Sequence, residues 1–351
     1  MSSVFLPSIF LPRTFHRLDT TQLAVNCQNM SRVTPPPRSD NDGPRPHLVL
    51  SGEEKNFRWL EYLPDGRRVV TGSWRGTVQV WNVESGEQEG TSMKQKGGIS
   101  DLAVTLDGTK IISSGLSGIK VWDVKSHELV KEWTHRGSCP KIAITPDGQL
   151  LAVGRWNVDI YSMEGRHVDS IEVGVIVWLM CFSPNGNKLA CGTEDGIRVY
   201  DVDSGTLMIL GLGGHRVFDV LWSRDGSRLF ASKGGTIQCW NSDTGQQIGH
   251  PWTGHTNYIC SLSLSPDGSI LASASYDKTV RFWNAITGDP VGQHLQHDHG
   301  VKVVCSSPSG DSVASAGVDG KIYIWQVVEC LGQCQTSNFK YVSPVVCSTM
   351  I

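Results

Sequence analysis

Two sets of histidine, serine and aspartate recur in this chain at one spacing: His255, Ser273 and Asp277, then His297, Ser315 and Asp319. These are the residue types of an acyl-transfer site, where histidine takes the proton of a serine nucleophile and a carboxylate holds the imidazole. The rest of that machinery is missing. No Gly-x-Ser-x-Gly turn surrounds either serine, so nothing presents the hydroxyl or supplies an oxyanion hole. Two other clusters raise the question of a metal. His294, His297 and His299 crowd together in HLQHDH, but a strand would put only His297 and His299 on one side. Cys330, Cys334 and Cys347 lack a fourth ligand at a workable distance. A phosphate-cradling Gly-x4-Gly-Lys loop is also missing from the sequence. Neither catalysis, nor a metal, nor a cofactor is therefore expected.

What positions these residues is a repeated unit, clearest over residues 254–288, GHTNYICSLSLSPDGSILASASYDKTVRFWNAITG. Apolar and polar residues alternate in Leu262-Ser263-Leu264 and in Val280-Arg281-Phe282, the period of strands. Ser265-Pro266-Asp267-Gly268 reads as a type I turn, Tyr276-Asp277-Lys278 as a tight hairpin and Thr287-Gly288 as the next. Four short antiparallel strands result, and one such sheet cannot bury both faces alone. The residue before the turn glycine recurs as Asp65, Asp107, Asp147, Asn185, Asp225, Asp267 and Ser309, at intervals of 38 to 42 residues. An aromatic follows each by 14 to 16 residues: Trp81, Trp122, Tyr161, Tyr200, Trp240, Trp283 and Trp325. Seven copies of about 40 residues match the period of propeller blades. The expected fold is all-β, a closed seven-bladed β-propeller of four-stranded antiparallel blades over residues 45–328. An unstructured tail is expected at 1–44 and a second tail at 329–351.

On these turns and aromatics the chain resembles the WD40-repeat family. The resemblance implies a buried tetrad in each full repeat: a histidine from the loop entering the blade, a serine or threonine, an aspartate and the tryptophan. It carries over onto His255, Ser273, Asp277 and Trp283 in repeat six, and onto His297, Ser315, Asp319 and Trp325 in repeat seven. Both trios are then structural, with the serine hydroxyl accepting from a buried indole and His and Asp completing the network. Other repeats depart from the pattern. Glu53 and Arg75 replace His and Asp in repeat one, and Asn157 and Tyr161 replace Asp and Trp in repeat three, which keeps His135. Repeat four pairs Val173 with Asp195, and repeat five has His215 two residues out of phase and no aspartate. Trp122-Asp123 alone spells the family's dipeptide. Local rigidity should suffer in blades one to five, but not the fold, because stacking on both neighbours supplies most of each blade's burial.

At 351 residues the chain is long enough for two or three domains, yet the repeats use nearly all of it. Thirty-one basic against 34 acidic residues leave a net charge of -3, too even to indicate nucleic acid or an anionic membrane as partner. The apolar run at 173–182 is about half a bilayer span and reads as a buried strand. Ten scattered cysteines lack the paired spacing of a secreted frame. They fit a reducing compartment, cytoplasmic with the nucleus as alternative.

Pro35-Pro36-Pro37 and the polar run to Pro44 continue no strand or helix. The first 18 residues are apolar and basic with a faint transit-peptide character that two prolines interrupt, and Met30 is an alternative start. Residues 47–50 form a lone strand before repeat one, while repeat seven stops at Val328 without the Ser-Gly or Thr-Gly turn that opens a fourth strand elsewhere. Residues 48–50 should therefore complete the last blade and close the ring, which removes the exposed edges. The weaker candidate for that strand is 338–342.

The residue just before the Asp position reads Trp74, Leu116, Trp156, Glu194, Gly234, Tyr276 and Val318. In the family this hairpin opens onto one face of the ring, near the central channel. Trp74, Trp156 and Tyr276 would anchor a partner there, since large aromatics bury much area with few rotors. Tyr258 and Phe218, from the loops entering repeats six and five, should emerge on the same face; the bland alternative is that these rings lie flat on neighbouring loops. The expected function is a non-catalytic scaffold or adaptor that binds a protein or peptide on this face, as a monomeric ring within a larger complex. The resemblance leaves alternatives. One is a ubiquitin-ligase substrate receptor, whose Trp-Asp-x-Arg motif is approached by Trp122-Asp123-Val124-Lys125. Another is a sensor-type array working in trans with a signalling ATPase. A G-protein β-like subunit would need N-terminal heptads, and 1–44 has none. A propeller enzyme would need ionisable groups converging on the channel, and none is evident from the sequence.

Overall fold

The computed structural model describes residues 43–51, 57–135, 140–211 and 216–331. Its regular structure grows from one repeated turn. The glycine after each aligned turn residue, from Gly66 to Gly310, has a positive φ of 66° to 79° in all seven repeats. Side chains with a Cβ avoid that region. The preceding polar residue fixes the turn from the other side: Asp267 accepts from the backbone N–H of Ser269, and Gly268 N–H closes onto the Ser265 carbonyl at 2.9 Å.

Each turn joins the two inner strands of a blade. Blade six shows the pattern: Ile259–Leu264, Ile270–Ser275, Thr279–Asn284 and Pro290–Gln296, each antiparallel to the next. Seven four-stranded sheets of this kind are present. The all-β, seven-bladed expectation holds. The second strand of a blade is buried on both faces, as in Arg68–Ser73 and Ser312–Gly317, whereas outer strands such as Gln88–Lys94 are mostly exposed.

The apolar interior consists of seven separate clusters, each wedged between consecutive blades. The ring closes through the last of these. Leu48–Ser51 pairs antiparallel with Lys321–Gln326, Leu48 opposite Ile324 and Leu50 opposite Ile322. Leu48 and Leu50 are 3% and 2% exposed in the cluster between blades seven and one. The closing strand is thus the N-terminal one, and 338–342 lies outside the described residues.

After the last strand the chain turns at once into a short helix, Val327–Leu331, across the point where the sequence placed the end of repeat seven, at Val328, and the start of a tail. Val327, Cys330 and Leu331 share a side of it, and all three join the cluster between blades six and seven. Of the tail expected at 1–44, residues 1–42 lie outside the described residues, as does the chain beyond Leu331.

Candidate functional site

In blade six the four aligned residues meet. Trp283 Nε1–H donates to Ser273 Oγ at 2.8 Å, and Ser273 Oγ and His255 Nε2 are 2.7 Å apart. His255 Nδ1 lies 2.8 Å from Asp277 Oδ2, which also accepts from Thr256 N–H. With the indole as donor, the serine proton points to Nε2 and the Nδ1 proton to the carboxylate. Burial alone would raise the pKa of Asp277. Hydrogen bonds from His255, the Thr279 hydroxyl and Thr256 N–H outweigh that and hold it well below the ordinary carboxylate range. Ser273 has no exposed surface and His255 very little. The trio has the polarity of a charge-relay triad but no access for a substrate.

Blade seven is built differently. Trp325 donates to Ser315 at 2.8 Å and Ser315 meets His297 Nε2 at 3.1 Å, but Asp319 accepts from the Tyr323 hydroxyl at 2.6 Å instead of holding the histidine. Tyr323 stands where blade six has Arg281, and its ring packs edge-on against His297, 4.6 Å between centroids. Burial pushes the His297 imidazole down to about 4, with Asp319 and Asp298 opposing it only in part.

Blade two holds a substitute. Trp122 donates to Ser113 at 2.8 Å, and Ser113 in turn donates to Gln95 Oε1 at 2.8 Å. Gln95 sits twelve residues before its turn residue, the offset of His255 and His297, so the position was there to be read. In blade one Trp81 donates to Thr71 at 2.9 Å. His135 in blade three comes no nearer than 3.7 Å to Asp159, and burial lowers its pKa. Asn157 is exposed, and Asp195 in blade four accepts from Thr193 and Arg198. Glu53 and His215 lie outside the described residues, as do Cys334 and Cys347. Among the described residues no three or more His, Cys, Asp or Glu gather as a metal site.

The hairpin aromatics are exposed: Trp74 58%, Trp156 59% and Tyr276 41%, with Tyr258 at 54%. Phe218 is half-buried, its ring 5.3 Å from Tyr258. Beside Tyr258 the hairpin of blade five is the small Gly234-Gly235, and an open pocket of about 510 Å³ lies there, lined by Thr236, Thr253, Thr256 and Asn257. The second residue of the inner strand adds groups not singled out from the sequence, among them Arg58, Trp178 and Lys302. They share one offset from the turn.

The inner strands also carry ionisable groups that were not singled out from the sequence: Glu61, Asp101, Lys141 and Asp219. Asp219 accepts from Val220 N–H at 2.9 Å and from Leu262 N–H of the next blade at 2.7 Å. Asp101 does the same with Leu102 and Ile142, each at 3.0 Å. A carboxylate at this position thus ties adjacent inner strands together. Burial pushes Asp219 up to about 7, against these backbone bonds. Burial first, then the charge of Asp101, pushes half-buried Glu61 up to about 8. Native Glu61 therefore keeps its proton where the unfolded chain has lost it, and stability falls as pH rises from about 4.5 to about 8. His297 acts oppositely, its loss coming as pH falls from about 6.5 towards 4. Glu61→Gln should raise the melting temperature by a few degrees at pH 8 and hardly at all at pH 4.5. A gain of equal size at both pH values counts against the shift.

A closed ring of seven four-stranded blades with a Trp-Ser-His-Asp network defines a β-propeller of repeat type. The family description "WD domain, G-beta repeat" matches residues 45–82, 171–201, 207–241, 245–284 and 288–326, more than half of the chain. The chain belongs to the WD40 family. The unmatched stretch 83–170 nonetheless folds largely into blades two and three with the same strand order. Periodic tryptophan protein 2 of Arabidopsis thaliana is 23% identical over 80% of this chain and 23% of its own length. Cell division cycle 20.1, cofactor of APC complex, from the same plant, is 29% identical over 69% of this chain and 57% of its own. Small ribosomal subunit protein RACK1y of Oryza sativa subsp. japonica is 31% identical over 35% and 40%. The chain thus spans between 23% and 57% of the length of these relatives. Propellers of this family generally act as non-catalytic scaffolds for protein interaction.

Proposed function

We propose that this propeller is a non-catalytic adaptor, docking a protein or peptide on the face that carries Trp74, Trp156 and Tyr276, with Tyr258 and Phe218 beside them. The observation that carries the reading is the exposure of four large rings at hairpins and loops of one face, each between 41% and 59%. Free energy is gained when such rings leave water against a partner, and anchors of this kind dominate interface energetics. The buried serines of the two trios make a hydrolase a poor reading. Cys181, Cys191, Cys239, Cys260 and Cys305 are free thiols, which supports a reducing, intracellular setting, cytoplasmic or nuclear.

Truncating each of Trp74, Trp156 and Tyr276 to alanine should cost about 2 kcal/mol of binding, or about thirtyfold in affinity. Stability should change by about 0.5 kcal/mol or less, because the rings are exposed. Affinity purification with mass spectrometry, beside a thermal melt of each variant, checks this. Partners kept, with a large drop in melting temperature, would make the rings packing elements. A second reading, an adaptor that brings substrates to a multi-subunit machine such as a ubiquitin ligase, draws on the relative named as a cofactor of the APC complex. Recovery of such a machine's subunits in the same purification would favour it. A third, an array working in trans with a signalling ATPase, would be favoured by recovery of an ATPase in that purification.

A further inference from the structure

The mouth of the channel, on the face of the exposed hairpins, is lined with cations laid on aromatic rings. The Arg58 guanidinium lies 4.5 Å from the centroid of Trp74. Arg216 lies 3.8 Å from Trp178 and 5.0 Å from Phe218. Arg155 approaches Trp178 at 5.5 Å, and Lys141 covers Trp59 at 4.6 Å. These groups come from blades one, three, four and five, so the fold gathers charges that the sequence keeps far apart. Burial, and then the positive charges of Arg58 and Arg155, hold the Arg216 guanidinium below its ordinary value.

Like charges gathered in this way raise the free energy of the unliganded face. Among the described residues Arg58 and Arg216 meet no carboxylate at ion-pair distance, and both side chains are exposed. A guanidinium held over an indole has already lost part of its rotamer freedom, so less entropy is lost when a carboxylate bonds to it. The surroundings decide what kind of anion fits. Glu194 takes the hairpin position of Trp74 in blade four, Asp298 lies on the loop entering blade seven, and both are exposed. A long polyanion laid across the face would meet these acids and a molecule of net charge -3. A short anionic segment entering the mouth meets the arginines first.

We propose that the channel mouth binds an acidic peptide segment of a protein partner, with Asp or Glu carboxylates bonded by Arg58 and Arg216 and flanking apolar side chains resting on Trp74, Tyr276 and Tyr258. This rests on the aromatic face being a docking surface, and adds the chemistry of its occupant.

The test is a selection of random peptides displayed on phage against the immobilised full chain, followed by fluorescence anisotropy with a selected peptide. Selected sequences should be rich in Asp and Glu. Replacing those residues by Asn and Gln should weaken binding about tenfold or more, the factor that about 1.4 kcal/mol represents. In the double variant Arg58→Gln/Arg216→Gln, with an unchanged melting temperature, acidic and neutral peptides should bind equally weakly. The proposal is overturned if selected peptides show no acidic enrichment, or if the acidic peptide keeps its advantage in the double variant. It is overturned equally if a single-stranded RNA oligonucleotide binds more tightly than the peptide through the same two arginines. The alanine triple variant at Trp74, Trp156 and Tyr276 separates the two readings. If it weakens binding while the arginines prove silent, only the acidic occupant falls. If the arginine-dependent advantage persists and the triple variant binds like the wild type, the aromatic face falls and the acidic occupant stands.

Discussion

A chain lacking residues 1–51 will aggregate, while one lacking residues 1–44 will melt as the full-length protein does. The first deletion removes Leu48–Ser51, the fourth strand of blade seven. It exposes the N–H and C=O groups of Lys321–Gln326 along an open edge, which templates pairing with other chains. It also empties the space of Leu48 and Leu50 in the cluster between blades seven and one. Truncating one buried leucine to alanine typically costs about 2–5 kcal/mol, a large share of the roughly 5–15 kcal/mol by which domains are stable. Leu48→Ala/Leu50→Ala in the full-length chain should therefore lower the melting temperature sharply while leaving the edge paired. Static light scattering during a thermal ramp reads both effects. A 1–51 deletion that stays monomeric with one sharp transition would mean another segment closes the ring.

Three substitutions at one repeat position should rank in a fixed order. Asp277→Ala removes the acceptor of His255 Nδ1–H, of Thr256 N–H and of the Thr279 hydroxyl. With His255 buried, the loss should be about 3 kcal/mol, the upper end for an orphaned buried donor. Asp319→Ala takes an acceptor from the Tyr323 hydroxyl and Lys321 N–H but none from the histidine, so about 1 kcal/mol is expected. Arg75→Ala, at an exposed side chain without a network, should cost about 0.5 kcal/mol or less. Urea melts of the three variants settle the order. Equal losses at Asp277 and Asp319 would mean that the Asp277–His255 contact contributes little.

The ring was legible in the sequence because its turns leave few choices. A positive φ at every turn selects glycine, and a blade of fixed length puts those glycines in phase. The closing strand could be found by counting, since one repeat lacked a strand and the chain had one to spare. Other features were hidden because they depend on pairs far apart in sequence. Asp219 matters for the N–H of Leu262, and Arg216 for the ring of Trp178. Aligned against its own repeats, Asp101 resembles any polar residue on a strand; only the N–H of Ile142 on the next blade gives it a task. Asp319 misled for a related reason. The motif position was right, but the hydroxyl of Tyr323, four residues on, captured its carboxylate.

The pairing of Leu48 with Ile324 also has a consequence during synthesis. A ribosome adding about 5–20 residues per second needs roughly 15 to 55 seconds to make the chain between those two partners. Six blades can assemble behind the tunnel in that interval, each on the one before it. Throughout, the first strand waits without its mate, and the inner face of blade one stays wet. A nascent propeller is thus an open arc with two unsatisfied ends, and it becomes a ring only once Lys321–Gln326 has been made. Chaperones that shield the early end should raise the yield of this protein, and ribosome pauses before blade seven is made should lower it.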